Sequence, residues 1–179
     1  MKFSALLPLL AAPLAAALPA AEAANTMAQR DAPFSFEEWA IAIGKGEPAL
    51  SVEEALKAAE ANGVGSPADK RSLEKRLRCN HLSIGPAYVP DAVSCINYLA
   101  SSGRMCRVER QSTFCTIGRA QIVGVRGGNS GTFTESWCND VARAAGHVMD
   151  NCWRADNTVQ GDHPAWGNGF LNVHIAEPA

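Results

Sequence analysis

The sequence predicts an α+β fold: an antiparallel β-sheet with two helices packed on it, an α/β sandwich held by disulfides. Three observations predict it. All six cysteines fall between residues 79 and 152. Two stretches of that region repeat apolar residues at helical spacing. Short segments rich in β-branched residues run between and after them, an order that reads as α+β rather than as alternating βαβ units.

The elements follow in chain order. "CNHLSIGPAY" is an extended opening segment. "VPDAVSCINYLASSG" is a helix: Pro90 suits its first turn, Ala92, Cys95, Ile96 and Leu99 share a face, and Gly103 stops it. "RMCRVER" is a short alternating strand. "STFCTIGRAQIVGVR" gives two strands around a turn at Gly118-Arg119. "GGNSGTFTE" is a Gly-rich loop. "SWCNDVARAAGHVMDNCW" is the strongest helix, with Val141, Ala145, Val148, Met149 and Cys152 at helical spacing. "RADNTVQGDHPAWGNG" is a long polar loop, and "FLNVHI" is the last strand.

The cysteines, Cys79, Cys95, Cys106, Cys115, Cys138 and Cys152, are even in number and contain no C-x-x-C, so a disulfide framework with no free thiol is expected rather than a zinc site. Cys138 and Cys152 lie about 21 Å apart along one helix at 1.5 Å per residue. They cannot bond each other. Both face the same side, so that helix is stapled at both ends; the partners stay open.

The residues before Cys79 read differently. Met1-Lys2, an Ala/Leu run to Leu18, and small residues at Ala15 and Ala17 form a secretory signal peptide over residues 1–17. Residues 18–76 have no cysteine, carry a net charge of −3, and end in two dibasic pairs, Lys70-Arg71 and Lys75-Arg76. Processing enzymes of the secretory pathway cut after such pairs. Residues 18–76 are therefore read as a propeptide, set apart from a mature domain of residues 77–179. Within it, Ser35 precedes Glu38 and Ser51 precedes Glu54 by three residues, two capping-box signatures. Two short helices are expected, docking Trp39 and Ile41 on the mature domain. A secreted, extracellular protein without a membrane span follows.

The mature region holds eight Arg, no Lys and eight acidic residues, a formal charge of zero. A neutral surface is a poor partner for nucleic acid or an anionic membrane. No H-E-x-x-H, G-x-S-x-G or P-loop is present. The sequence therefore implies no cofactor, no metal and no catalytic residue. His81, His147 and His174 read as surface or hydrogen-bonded histidines, with His174 pointing away from the core. The Asp162-His163 pair has neither nucleophile nor second carboxylate beside it. Aromatic content points to sugar instead. Trp166, on a polar loop with Asp162, His163 and Asn168, can cover the apolar face of a pyranose while its neighbours bond the hydroxyls.

The ordered set "CNHLSIG", "DAVSCINYLASSG", "CRV", "TFCTIGRAQIVGV", "CNDVARAAGHVMDNC" and "VQGDHPAWGNGFLNVHI" resembles a family of small secreted fungal glycan-binding proteins first known from a mushroom lectin. The resemblance spans Cys79 to Ile175. It implies an α/β sandwich, a homodimer through sheet extension, and binding of N-acetylgalactosamine- or fucose-containing glycans or glycoproteins. A second resemblance, in cysteine rhythm, is to fungal necrosis-inducing effectors. Their tryptophan-glycine ending beside a last cysteine is missing, since Trp166-Gly167 follows Cys152. That likeness implies an effector or toxin acting on cells through a protein partner.

Overall fold

A computed structural model describes residues 33–64, 77–128 and 131–179. The signal peptide and both dibasic pairs lie outside the described residues. Among the described residues, four helices and nine strands occur. They are α1 (Phe36–Lys45), α2 (Val52–Ala61), β1 (Arg78–Cys79), β2 (Ala87–Tyr88), α3 (Val89–Ser101), β3 (Met105–Val108), β4 (Gln111–Ile117), β5 (Ala120–Arg126), β6 (Thr134–Trp137), α4 (Cys138–Cys152), β7 (Thr158–Val159), β8 (Gly161–Pro164) and β9 (Leu171–Ala176).

The main sheet has the order β1-β8-β9-β5-β4 and every neighbouring pair is antiparallel. The fold is the expected disulfide-stabilised α+β type, with α3 and α4 packed on one face of the sheet. The β4–β5 hairpin turns at Gly118, whose φ of +49° suits glycine. Asp91 at the start of α3 accepts a 2.7 Å hydrogen bond from the Arg119 N–H and so ties that turn to the helix. Period-two alternation puts Ile122, Leu171, Val173 and Ile175 against the helices, all fully buried.

The three disulfides are Cys79–Cys152, Cys95–Cys115 and Cys106–Cys138. Helix α4 is thus stapled at both ends, and α3 is fixed to β4. No cysteine is free. Three bridges at about 2–4 kcal/mol each are a large share of the stability of a domain this small.

Three segments differ from the expectation. The Gly-rich stretch ends in a strand, β6, which pairs with β3 through Met105↔Trp137 and Val108↔Thr134. The "long polar loop" contains β7 and β8, and β8 is the second strand of the main sheet. It is buried along its length. The buried polar residues in and beside it are tolerated because they have partners: Gln160, just before the strand, accepts from the Leu82 N–H and donates to the Ile84 carbonyl, and Asp162 is ion-paired.

The third difference is an anchor in the segment read as a propeptide. Phe34 to Ala179 form one unit, and α1 and α2 contribute to its core. Phe36, Ala40, Ala55 and Ala59 are fully buried, and Trp39 nearly so. Trp39 docks as expected; the second anchor is Phe36, not Ile41, which is only partly covered. Both helices start at the expected serines. Ser51 and Glu54 complete a capping box, while Ser35 accepts from the Glu38 N–H. Gly146, in mid-α4, permits the approach of α1: a Cβ there would lie 2.6 Å from the Phe36 carbonyl.

Phe36→Ala in the full chain is expected to cost about 3–5 kcal/mol, read from urea denaturation. A loss below about 1 kcal/mol would show that α1 is a passenger rather than part of the core.

Candidate functional site

The structure keeps His163 and Trp166 of the expected sugar-binding residues together and turns Asp162 away from them. Asp162 and His163 are neighbours in β8, so their side chains leave opposite faces of the sheet. They do not form an acid–base pair. Asp162 is 1 % exposed. One of its oxygens lies 2.8 Å from an Arg78 terminal nitrogen, and the other lies 3.1 Å from Arg78 Nε and 3.0 Å from His81 Nε2. His174 is its register partner on β9. Arg78, Asp162, His174 and Val123 thus form a row across four strands on the face away from the helices. His174 does point away from Val173 and Ile175, but it is partly covered, and its buried Nε2 has no hydrogen-bond partner among the described residues. Burial depresses its pKa below the usual 6.5; Asp162 opposes this, and His81 and Arg78 add to it.

His163 faces α4. Its Nδ1 donates to the Pro164 carbonyl at 2.8 Å, and its ring lies 4.7 Å from that of His147 and 5.6 Å from that of Trp166. Trp166 is partly buried, with the Arg143 guanidinium 4.2 Å above its ring. Asn168 holds a turn, donating to Thr134 Oγ1 and the Glu135 carbonyl and accepting from the Phe170 N–H. Asp162, His163 and Asn168 are thus engaged inside the protein, and one face of Trp166 is covered by Arg143. The segment is built as a strand and a turn, not as an open sugar loop.

Two other places gather chemistry. The first is a groove of about 620 Å³, a size typical of small-ligand sites. Its walls are the end of α1 (Ile43 to Gly46), the end of α3 (Ala100, Ser101), Gly103-Arg104, and Trp137, Asn139 and Asp140 at the start of α4. Trp137 is 58 % exposed, the most exposed large apolar side chain among the described residues. It stands at the end of β6, across from exposed Met105. Arg104 donates to the Tyr98 hydroxyl and lies 5.5 Å from that ring's centre. Burial raises the pKa of Asp140, and Arg143 opposes the shift. Nothing local in the sequence separates Trp137 from a core tryptophan; its exposure depends on the unforeseen β6 pairing.

The second place is the outer stripe of α4 beneath α1. Glu37 sits between Arg143 Nε and His147 Nδ1, 3.0 Å from each. Asp150 accepts from the Phe36 N–H, the Glu37 N–H and the Ser35 hydroxyl at 2.8, 3.1 and 2.7 Å. Burial raises the Asp150 pKa, and these hydrogen bonds and His147 pull it back. Among the described residues, no group of three His, Cys, Asp or Glu side chains is placed to hold a metal ion, and no helix is long and apolar enough to cross a membrane.

A family model described as "Domain of unknown function (DUF8794)" matches residues 74–177. No curated protein and no solved structure matches the chain.

The depressed His174 has a pH signature. The unfolded chain takes up a proton near pH 6.5 and the folded one only at lower pH. The unfolded state therefore binds more protons as pH falls below 6.5, and stability present above that value is lost as pH falls through the lowered one. His174→Gln is expected to flatten this loss in urea midpoints measured between about pH 7.5 and pH 5. A variant curve parallel to the parent's would assign the loss to other groups.

Proposed function

The chain belongs to the DUF8794 family, and we propose that it is a secreted, non-catalytic glycan-binding protein that uses Trp137 as its sugar platform. The observation that carries this reading is an exposed indole at the mouth of a groove edged by hydrogen-bonding groups. The indole face stacks on the apolar side of a pyranose. Arg104, Ser101 and Asp140 supply donors and acceptors for its hydroxyls. The sequence resemblance to lectin-like proteins supports N-acetylgalactosamine- or fucose-containing glycans as ligands. The proposed platform is Trp137 rather than Trp166, because Trp166 is packed and Trp137 is open.

Secretion is supported by the full pairing of six cysteines. The mature-domain boundary is supported by where the family match starts, at residue 74, after α1 and α2. Dimers by sheet extension would use β4, a seven-residue edge strand whose outer side is open, although its bulge between Thr113 and Cys115 twists that edge. A second reading, an effector that binds a protein partner, is favoured by Met105 and Phe133, which are exposed on or beside the same β3–β6 ribbon.

The test is a broad glycan array probed with the full chain, followed by titration of the best ligand. Trp137→Ala is expected to weaken binding by at least about tenfold with an unchanged melting temperature, since the ring is mostly in solvent. Trp166→Ala is expected to lower the melting temperature. A blank array from folded protein would remove the glycan reading and leave the protein-partner one.

A further inference from the structure

One stripe of α4 reads α1 residue by residue. Asn139, Arg143, Gly146, His147 and Asp150 recur at helical spacing along a single face. Asp150 accepts the first free N–H groups of α1 and its capping serine hydroxyl. Arg143 and His147 clamp the Glu37 carboxylate. Asn139 donates to the Ala40 carbonyl at 2.7 Å. Gly146 leaves room for the α1 backbone. Phe36 inserts beside Trp153, with ring centres 6.0 Å apart.

All five reading residues lie in the segment matched by the family, residues 74–177, and α1 lies outside it. No disulfide reaches α1, because the first cysteine is Cys79. Four of the five reading residues are polar or charged. The contact as a whole is mixed, since Phe36, Trp39 and Ala40 of α1 are buried in the same core. A glycine in mid-helix is unfavourable for the helix itself, and its use here is the close approach of another backbone.

We propose that this stripe is a docking groove for an amphipathic helix whose first turn reads serine or threonine, aromatic, glutamate, and that α1 occupies it in cis in place of such a helix on a partner protein. Cutting the connection between α2 and β1 makes the occupant exchangeable. The proposal does not depend on sugar binding.

The full chain is cut with a Lys-Arg-directed protease, and a fluorescein-labelled peptide of residues 33–47 is titrated by anisotropy. Saturable binding to the cut protein and none to the intact chain is expected. A Glu37→Gln peptide is expected to bind about tenfold more weakly. A peptide that keeps only Ser35, Phe36, Glu37, Trp39 and Ala40 on an otherwise polar, alanine-rich helix is expected to bind within about tenfold of the native one. Gly146→Ala in the cut protein is expected to abolish binding and to preserve circular dichroism.

An N-terminal fragment that never exchanges, or a domain that unfolds when the fragment leaves, would make α1 a permanent part of the fold and overturn the proposal. Equal binding of the Glu37→Gln peptide would overturn the clamp. Displacement of the fragment by glucuronic acid without peptide binding would give the clamp to an acidic sugar and overturn it as well. None of these outcomes is read from a ligand of the Trp137 groove, so a blank glycan array leaves this test intact.

Discussion

Helix α4 is pinned at both ends by disulfides, and most of the structure is arranged around that constraint. Cys106–Cys138 fixes its first residue to β3, and Cys79–Cys152 fixes its last to β1. A helix held this way can neither slide nor rotate. Its inner face packs on the sheet, with Val148 reaching Gly161 of β8 so closely that a Cβ there would meet it at 3.0 Å. Its outer face is then fixed as well. Side chains at Asn139, Arg143, His147 and Asp150 are held in register over about 16 Å at 1.5 Å per residue. That preset spacing matches the one-turn repeat of another helix, and α1 uses it.

The same pinning decides where polarity is tolerated inside the protein. Strand β8 lies beneath α4 and carries Asp162 and His163 on opposite faces. On the helix side, His163 is satisfied by its own strand and stacks with His147 and Trp166. On the far side, Asp162 is neutralised by Arg78, which lies on the short edge strand tied to α4 through Cys79. A buried carboxylate without such a partner is strongly destabilising. The disulfide therefore contributes twice: it ties β1 to the helix, and it keeps the counter-charge of Asp162 in place.

Much of the fold is legible in the sequence, because helical period, turn glycines and cysteine geometry are local or nearly so. The two helices of the domain, the hairpin at Gly118 and the two-ended staple of α4 all follow from such signals. Strands β6, β7 and β8 do not. Their residues are those of loops, and they become strands because distant partners satisfy them: Arg78 for Asp162, the Leu82–Ile84 backbone for Gln160, and Cys106, linked to Cys138, for the β3–β6 register. The segment read as an open polar loop is a strand and a turn for the same reason. Polar residues beside a tryptophan look alike whether they face solvent or a neutralising partner 84 residues away in sequence. The role of Phe36 was equally hidden. Composition separates its segment from the cysteine-rich region, whereas Gly146 and Asp150, over a hundred residues later, show that the two are fitted to each other.

The two surfaces are not independent, because α1 touches both. Its first turn lies on the α4 stripe, and its last residues, Gly44 and Lys45, with the capping Gly46, form one wall of the groove at Trp137. Gly44 is held close to Asn139, the residue that also bonds Ala40: a Cβ on it would overlap the Asn139 amide. A ligand in the groove that contacts this wall favours the docked helix. By reciprocity, the docked helix then favours that ligand by the same free energy. A ligand confined to Trp137, Arg104 and Asp140 gains nothing from α1 and is indifferent to its exchange. On the proposed reading, a groove ligand that touches the α1 wall is coupled to that helix, one that does not leaves the helix a separate interface, and the rigid α4 carries both surfaces.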